Sequence, residues 1–181
     1  MPRDDFLEHF RLNDQVHADH TLHIAYYGSI RVEERWISQK LIGQGGFGDV
    51  WKQEYTPGYA AAAVDTRVRA VKIINKRATE RVGVDFKKEL LALSKFSKEE
   101  YRQAQAFVDF LGWYETADSV FFAMEFFRHG DLSVHIASIR EEDEIRDITM
   151  GVLRGLNIMH TEGFTHRDLK PQVRPFCPGF R

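Results

Sequence analysis

The sequence predicts an α+β fold in two unequal lobes, strands first and helices after. Three observations predict it. Between Trp36 and Phe127, short β-branched and aromatic runs recur between glycine-rich and polar turns, interrupted by one helical stripe. From Asp143 the apolar spacing lengthens to that of a long helix. A glycine cluster at 43–48 and a charged segment at 166–172 mark the two halves.

Residues 1–35 are a polar lead-in, read as an N-terminal extension. His17, His20 and His23 recur there every third residue. On a helix they would lie along one face able to bind a metal, but no carboxylate or cysteine completes a recognisable site, and a solvated face is the reading adopted. Trp36–Ile42 reads as a first strand and Phe47–Tyr55 as a second, with Gly43–Gly48 the hairpin between them. Pro57–Asp65 is a Gly- and Ala-rich loop, and Val68–Ile74 a third strand. Val84–Phe96 reads as a helix, because Phe86, Leu90 and Leu93 are spaced by four and three. Lys98–Gln105 is a polar connection. Phe107–Tyr114 and Val120–Phe127 are two further strands about the turn Thr116–Ser119. In the helix Asp143–His160, the stripe Ile145, Ile148, Val152, Leu156 and Met159 is wide enough to demand a partner surface, and Gly163 ends it.

The 181 residues, 43% hydrophobic and 29% charged, suit about one globular domain. A net charge of −2 gives no whole-chain attraction to nucleic acid or to an acidic membrane, so neither is an expected partner. The single cysteine, Cys177, excludes a disulfide framework and fits an intracellular, cytoplasmic setting. No apolar run approaches the ~20 residues of a membrane span. Met1–Phe10 lacks a signal-peptide core, and Pro2 excludes N-myristoylation.

Three motifs carry chemistry. Gly43-Gln44-Gly45-Gly46-Phe47-Gly48-Asp49-Val50 fits G-x-G-x-x-G-x-V, in which glycines let backbone approach phosphate. Its flanks read as strands, unlike the strand-then-helix context of the dinucleotide motif. Lys72 follows Ala70-Val71 on a strand, where an ammonium among apolar neighbours needs an anionic partner. Phosphate oxygens and Glu89 on the next helix are candidates. His166-Arg167-Asp168-Leu169-Lys170-Pro171-Gln172 is the third: Asp168 can accept a hydroxyl proton and Lys170 can offset phosphoryl charge.

From Trp36 to Gln172 these motifs, in this order, resemble a eukaryotic protein kinase, and Lys170 resembles the serine/threonine subgroup. The resemblance implies a complete β-rich N-lobe of five strands and one helix (about 36–128) and the start of a helical C-lobe (about 129–172). It implies ATP as cofactor, magnesium with it, and a protein hydroxyl as acceptor. Asp168, Lys170, Lys72 and Glu89 would be catalytic. Ile42, Gly43, Gly45, Gly48, Val50, Ala70, Lys72, Met124, Glu125, Phe127 and Asp131 would hold the nucleotide: Ile42, Val50 and Ala70 over the adenine, Met124 as gatekeeper, Glu125–Phe127 as hinge, Asp131 on the ribose. Leu93, Phe110 and His166 resemble members of the hydrophobic spine.

The pattern stops at Gln172. Val173 stands where the family has a metal-binding Asn, and valine has no oxygen donor for a hard cation. No Asp-Phe-Gly follows, so the magnesium ligands are absent. The tail Val173–Arg181 resembles nothing in the family, and its opening Val-Arg is what an intron donor read in frame would encode. The expectation is a serine/threonine kinase by family whose 181-residue chain is inactive or nearly so. The alternatives are a non-catalytic, pseudokinase-like binding module and a non-functional fragment of a mis-spliced or truncated gene product.

Overall fold

Alternation of side chains along short strands builds one antiparallel sheet in the computed structural model, which describes residues 7–46, 48–56, 67–136 and 139–171 (of Tyr27, the backbone only). Among these residues the strands are β1 (Asp14–Val16), β2 (Thr21–Tyr27), β3 (Ile30–Gly45), β4 (Gly48–Thr56), β5 (Val68–Asn75), β6 (Phe110–Glu115) and β7 (Ser119–Glu125), in the order β1-β2-β3-β4-β5-β7-β6. The helices are α1 (Lys76–Val82), α2 (Phe86–Phe96), α3 (Glu99–Arg102), α4 (Leu132–His135) and α5 (Glu142–Thr161). Phe47, the expected loop 57–65 and the tail from Gln172, Cys177 included, lie outside the described residues. The chain divides into two compact units, residues 1–94 with 110–126, and residues 95–109 with 127–181.

In the first unit, residues opposite each other across an antiparallel ladder share a face. Lys72 stands opposite Val50 and Phe122, and Ala70 opposite Lys52 and Met124. That face buries Ile74, Phe110, Trp113, Val120 and Phe122 against Leu90 of α2. Burial of each such large side chain stabilises by roughly 1.5–3 kcal/mol. The opposite face carries Gln53, Arg69, Val71, Tyr114, Phe121 and Ala123, with Leu12 packed against its apolar part.

The lead-in, expected as an N-terminal extension, contributes strands to this sheet. β2 pairs with β3 from Tyr27↔Ile30 to Thr21↔Trp36, and β3 starts six residues before the expected strand. Its hydrophobic period is faint because polar Thr21 and Glu34 are buried there along with Ile24, against buried Gln53 and Arg69 of the neighbouring strands. The histidines lie on a turn and a strand, not on a helix; His17 and His20 stack at 4.5 Å, His20 pairs with Asp19 at 2.7 Å, and His23 pairs with Asp14. Just before β1, residues 10–12 run beside β6 through Leu12 N–H to the Trp113 carbonyl (2.7 Å) and Trp113 N–H to the Phe10 carbonyl (2.9 Å). The segment preceding the first edge strand thus pairs with the last one. This bridge covers part of the β6 edge.

Other elements follow local signals. Asn75 caps α1 by accepting from Ala78 N–H at 3.0 Å, and Gly83 ends it in the left-handed region. This short helix, and α3 inside the expected polar connection, were not anticipated. The hairpin at 116–119 is as expected, with Thr116 N–H donating to the Ser119 carbonyl at 2.9 Å. In the second unit Phe96 stacks on Phe107 at 4.5 Å and meets Phe164 edge-on at 5.2 Å. Along α5, Ile148 is buried and Val152, Leu156 and Met159 half-buried, so most of the expected stripe has found a surface; Ile145 is exposed. Among the described residues no helix is long and apolar enough to cross a membrane.

Gly112 lets the lead-in seat. Its φ is 138°, and a Cβ there would stand 2.6 Å from both Leu12 Cγ and the Phe10 carbonyl oxygen. Gly112→Ala is expected to destabilise by about 1–3 kcal/mol through overpacking and to expose residues 7–12 to proteolysis. Thermal unfolding with limited proteolysis checks this; an unchanged midpoint and cleavage pattern would contradict the seating.

Candidate functional site

Period-two alternation along β5 puts Ala70 and Lys72 on the same face, and the ladders add Val50 and Met124 beside them. Lys72 meets Glu89, one turn into α2, at 2.6 Å to Oε1 and 2.8 Å to Oε2. The Lys72 side chain is 24% exposed and that of Glu89 43%. A pair this wet contributes about 0–1 kcal/mol to stability. What it does is hold an ammonium in one place with donor capacity left for a second anion. Ala70 is buried at the foot of this face and Met124 half-buried beside the core.

The glycine cluster closes the same face, β3 pairing with β4 as Gly43↔Val50 and Gly45↔Gly48. Ile42 sits at the register shift between Leu41 and Gly43. The glycines differ in why they are small. A Cβ on Gly48 would lie 2.1 Å from the Ile73 carbonyl oxygen, so the sheet itself requires glycine there. Among the described residues a Cβ on Gly45 would be in ordinary contact with the Gly48 carbonyl oxygen at 3.4 Å, and one on Gly46 would meet nothing within 4 Å. Gly43, Gly45 and Gly46 have no positive φ, so unusual dihedral angles are not what calls for glycine at these positions. Glu125 ends β7 opposite Arg69, so its side chain lies on the other face of the sheet, where its Oε2 is buried without a hydrogen-bond partner among the described residues.

In the second unit, α5 delivers the charged loop. Its last turn closes on Gly163 (φ 78°), with Phe164 N–H donating to the Met159 carbonyl at 2.8 Å. Phe164 then anchors on Phe96, and Lys95 pairs with Glu162 at 2.5 Å. The Tyr101 hydroxyl is pushed up to about 12 by burial first and by Glu162 second. The Glu162 carboxyl is held below the usual range, chiefly by hydrogen bonding from Lys95. Two residues beyond Phe164, His166 opens the loop, and Arg167 takes a left-handed conformation (φ 62°) uncommon for a side-chain-bearing residue. Asp168 and Lys170 are exposed and paired at 2.8 Å. Hydrogen bonding from Lys170, then its charge and that of His166, hold the Asp168 carboxyl below its ordinary range.

Asp131 caps α4: its Oδ1 accepts from Ser133 N–H at 2.9 Å and from the Ser133 hydroxyl. The same N–H reaches the Pro171 carbonyl at 3.1 Å, so Asp131 and the end of the charged loop share one donor. Phe127 opens the second chain segment of this unit. Leu93 packs on the cluster that holds Phe110 in the first unit; His166 belongs to the second. Lys52 was not anticipated on the site face. It stands opposite Ala70, pairs with Glu54, and its Nζ lies 5.4 Å from the Phe126 ring centroid. Two-residue alternation from Val50 is the signal that would have found it.

Lys170→Ala is expected to raise the Asp168 titration midpoint toward that of an ordinary aspartate. Carboxyl-carbon NMR titration reads this directly, and a midpoint unmoved by the substitution would remove Lys170 as the cause.

Comparison with known proteins agrees with this geometry. The sequence profile of the protein kinase domain matches residues 36–172. Human serine/threonine-protein kinase ULK1 is 34% identical over 134 residues, covering 73% of this chain and 12% of the relative. Saccharomyces cerevisiae serine/threonine-protein kinase RAD53 is 33% identical over 138 residues, covering 75% of this chain and 15% of the relative. The chain therefore spans well under a fifth of the length of these two relatives. The crystal structure of Rad53 1–466 in complex with AMP-PNP superposes with a TM-score of 0.59 at 31% identity, over 77% of this chain and 34% of that one. The β-rich lobe with few helices is that of a partial kinase fold, and the chain belongs to the eukaryotic serine/threonine protein kinase family.

Proposed function

We propose that this chain holds ATP on the sheet face carrying Lys72 and that its family chemistry is transfer of the γ-phosphoryl group to a protein serine or threonine. The bidentate Lys72–Glu89 pair, on the sheet face that Lys72 shares with Val50 and Gly43, is the observation that carries the reading. Lys72 binds phosphate oxygens while Glu89 fixes its ammonium. Backbone N–H groups of residues 43–46 approach the phosphates, Ile42, Val50 and Ala70 pack the base, and Met124 limits the depth of the face. Backbone groups of Glu125 and Phe127 hydrogen-bond the adenine edge, and Asp131 reaches the ribose. Asp168 takes the acceptor hydroxyl's proton and Lys170 offsets charge on the transferring group.

Magnesium does not fit the residues present. Val173 offers no oxygen where the family has Asn, and no Asp-Phe-Gly occurs in the 181 residues. Without side chains to fix the nucleotide's cation over the transferring phosphate, the 181-residue chain by itself binds nucleotide but transfers phosphoryl no faster than background. A second reading, a non-catalytic binding module, is favoured by Ile145, Met150 and Leu153, each 52% exposed on α5.

Two assays on the purified chain test this. Magnesium-ATP should raise the thermal midpoint, by about 2.7 kcal/mol of added stability at a hundred times Kd, and Lys72→Met should abolish the rise. Radiolabelled phosphotransfer should match the Lys72→Met background. No thermal response would defeat nucleotide binding and leave the module reading standing; transfer above background would defeat the inactivity.

A further inference from the structure

β5 has a second face, and the N-terminal lead-in is bound to it. Arg69, three residues before Lys72, points away from the site face into a buried polar network. Its Nη2 meets Asp14 Oδ2 at 3.0 Å, with side chains 3% and 0% exposed, across 55 residues of sequence. Arg69 Nε donates to Gln53 Oε1 at 2.9 Å, and Gln53 Nε2 donates to Ser38 Oγ at 3.2 Å. The guanidinium lies 4.4 Å from the Trp36 ring centroid. On the other side of Asp14, His23 Nδ1 meets Oδ1. One arginine on the lysine strand is therefore held by β1, β4 and the ring on β3 at once.

We propose that Asp14 is a positioning residue for Lys72: through Arg69 it fixes the register and height of β5, and so the place of the ammonium that receives the phosphates. The proposal rests on the nucleotide reading above. A buried ion pair is a poor source of stability compared with apolar packing, but its hydrogen bonds are directional, and directional bonds specify position. The lead-in reaches Asp14 only after seating on β6 and passing Gly112, so the whole segment 7–16 belongs to the device.

The test uses the full 181-residue chain with Asp14→Leu, Arg69→Met and the double variant. Three quantities are read: the thermal midpoint, magnesium-ATP affinity by calorimetry, and amide hydrogen exchange at Val71 and Lys72. Each single variant leaves a buried charge or a gap and should lower the midpoint and weaken nucleotide. The double variant replaces the pair with apolar bulk and should recover the midpoint. If position is what the pair supplies, affinity stays about tenfold weaker in the double variant and exchange at Val71 and Lys72 stays faster than in the native chain. Affinity and exchange that return together with the midpoint would overturn the proposal. A native chain that binds no nucleotide defeats the nucleotide reading alone, and the exchange measurement still decides the positioning. Should the double variant fail to fold, Asp14→Asn, which keeps shape and an acceptor oxygen, is read well below its own midpoint. Faster exchange confined to β5 supports the proposal, and exchange unchanged or raised evenly over the sheet overturns it.

Discussion

The two-residue period of β5 is the constraint on which the first unit depends. Successive residues must face opposite ways. Ala70, Lys72 and Ile74 therefore share one face, while Arg69, Val71 and Ile73 share the other. The first set joins the packed cluster beneath α2 and presents an ammonium to Glu89. The second meets the lead-in, the buried carboxylate of Asp14 and the ring of Tyr114, whose hydroxyl burial pushes upward. A one-residue slip of this strand would bury Lys72 unpaired and expose Arg69, so register and chemistry are set together.

Small residues then decide where backbone comes close. Gly48 is fixed by the Ile73 carbonyl and Gly112 by Phe10 and Leu12, whereas a Cβ on Gly45 would meet the Gly48 carbonyl at ordinary contact distance. The same residue type is thus required by packing at two positions and tolerates a side chain at another. In the second unit the charged loop is positioned more simply. Phe164 on Phe96, the Gly163 turn and the Ser133 N–H shared by Asp131 and Pro171 hold its two ends, leaving Asp168 and Lys170 exposed between.

Much of this was legible from residue types alone where chemistry demands them in short order. The glycine cluster, Lys72, Glu89 and His166–Pro171 stand close along the chain or on strongly patterned elements, and apart from the early start of β3 the strands and long helix around them appear within a few residues of their expected ends. The lead-in was opaque for a physical reason. Its inward positions mix polar Asp14 and Thr21 with apolar Ile24, so β1 and β2 carry no clear hydrophobic period, and its partners at Gln53, Arg69 and Trp113 lie far along the chain. The helix α1 was missed although Asn75 and Gly83 bracket it with ordinary capping signals. Asp131 was expected on the ribose; its Oδ1 is also a helix cap, a local use that spacing alone does not separate from a ligand contact.

The central claim is that one lysine, Lys72, faces bound phosphate. Acylation by an acyl-phosphate derivative of ATP, read lysine by lysine by mass spectrometry, tests it most directly. The account predicts that Lys72 is the principal modified lysine and that excess ATP protects it. Modification spread evenly over the exposed lysines, with Lys72 unmodified and ATP without effect, would contradict it.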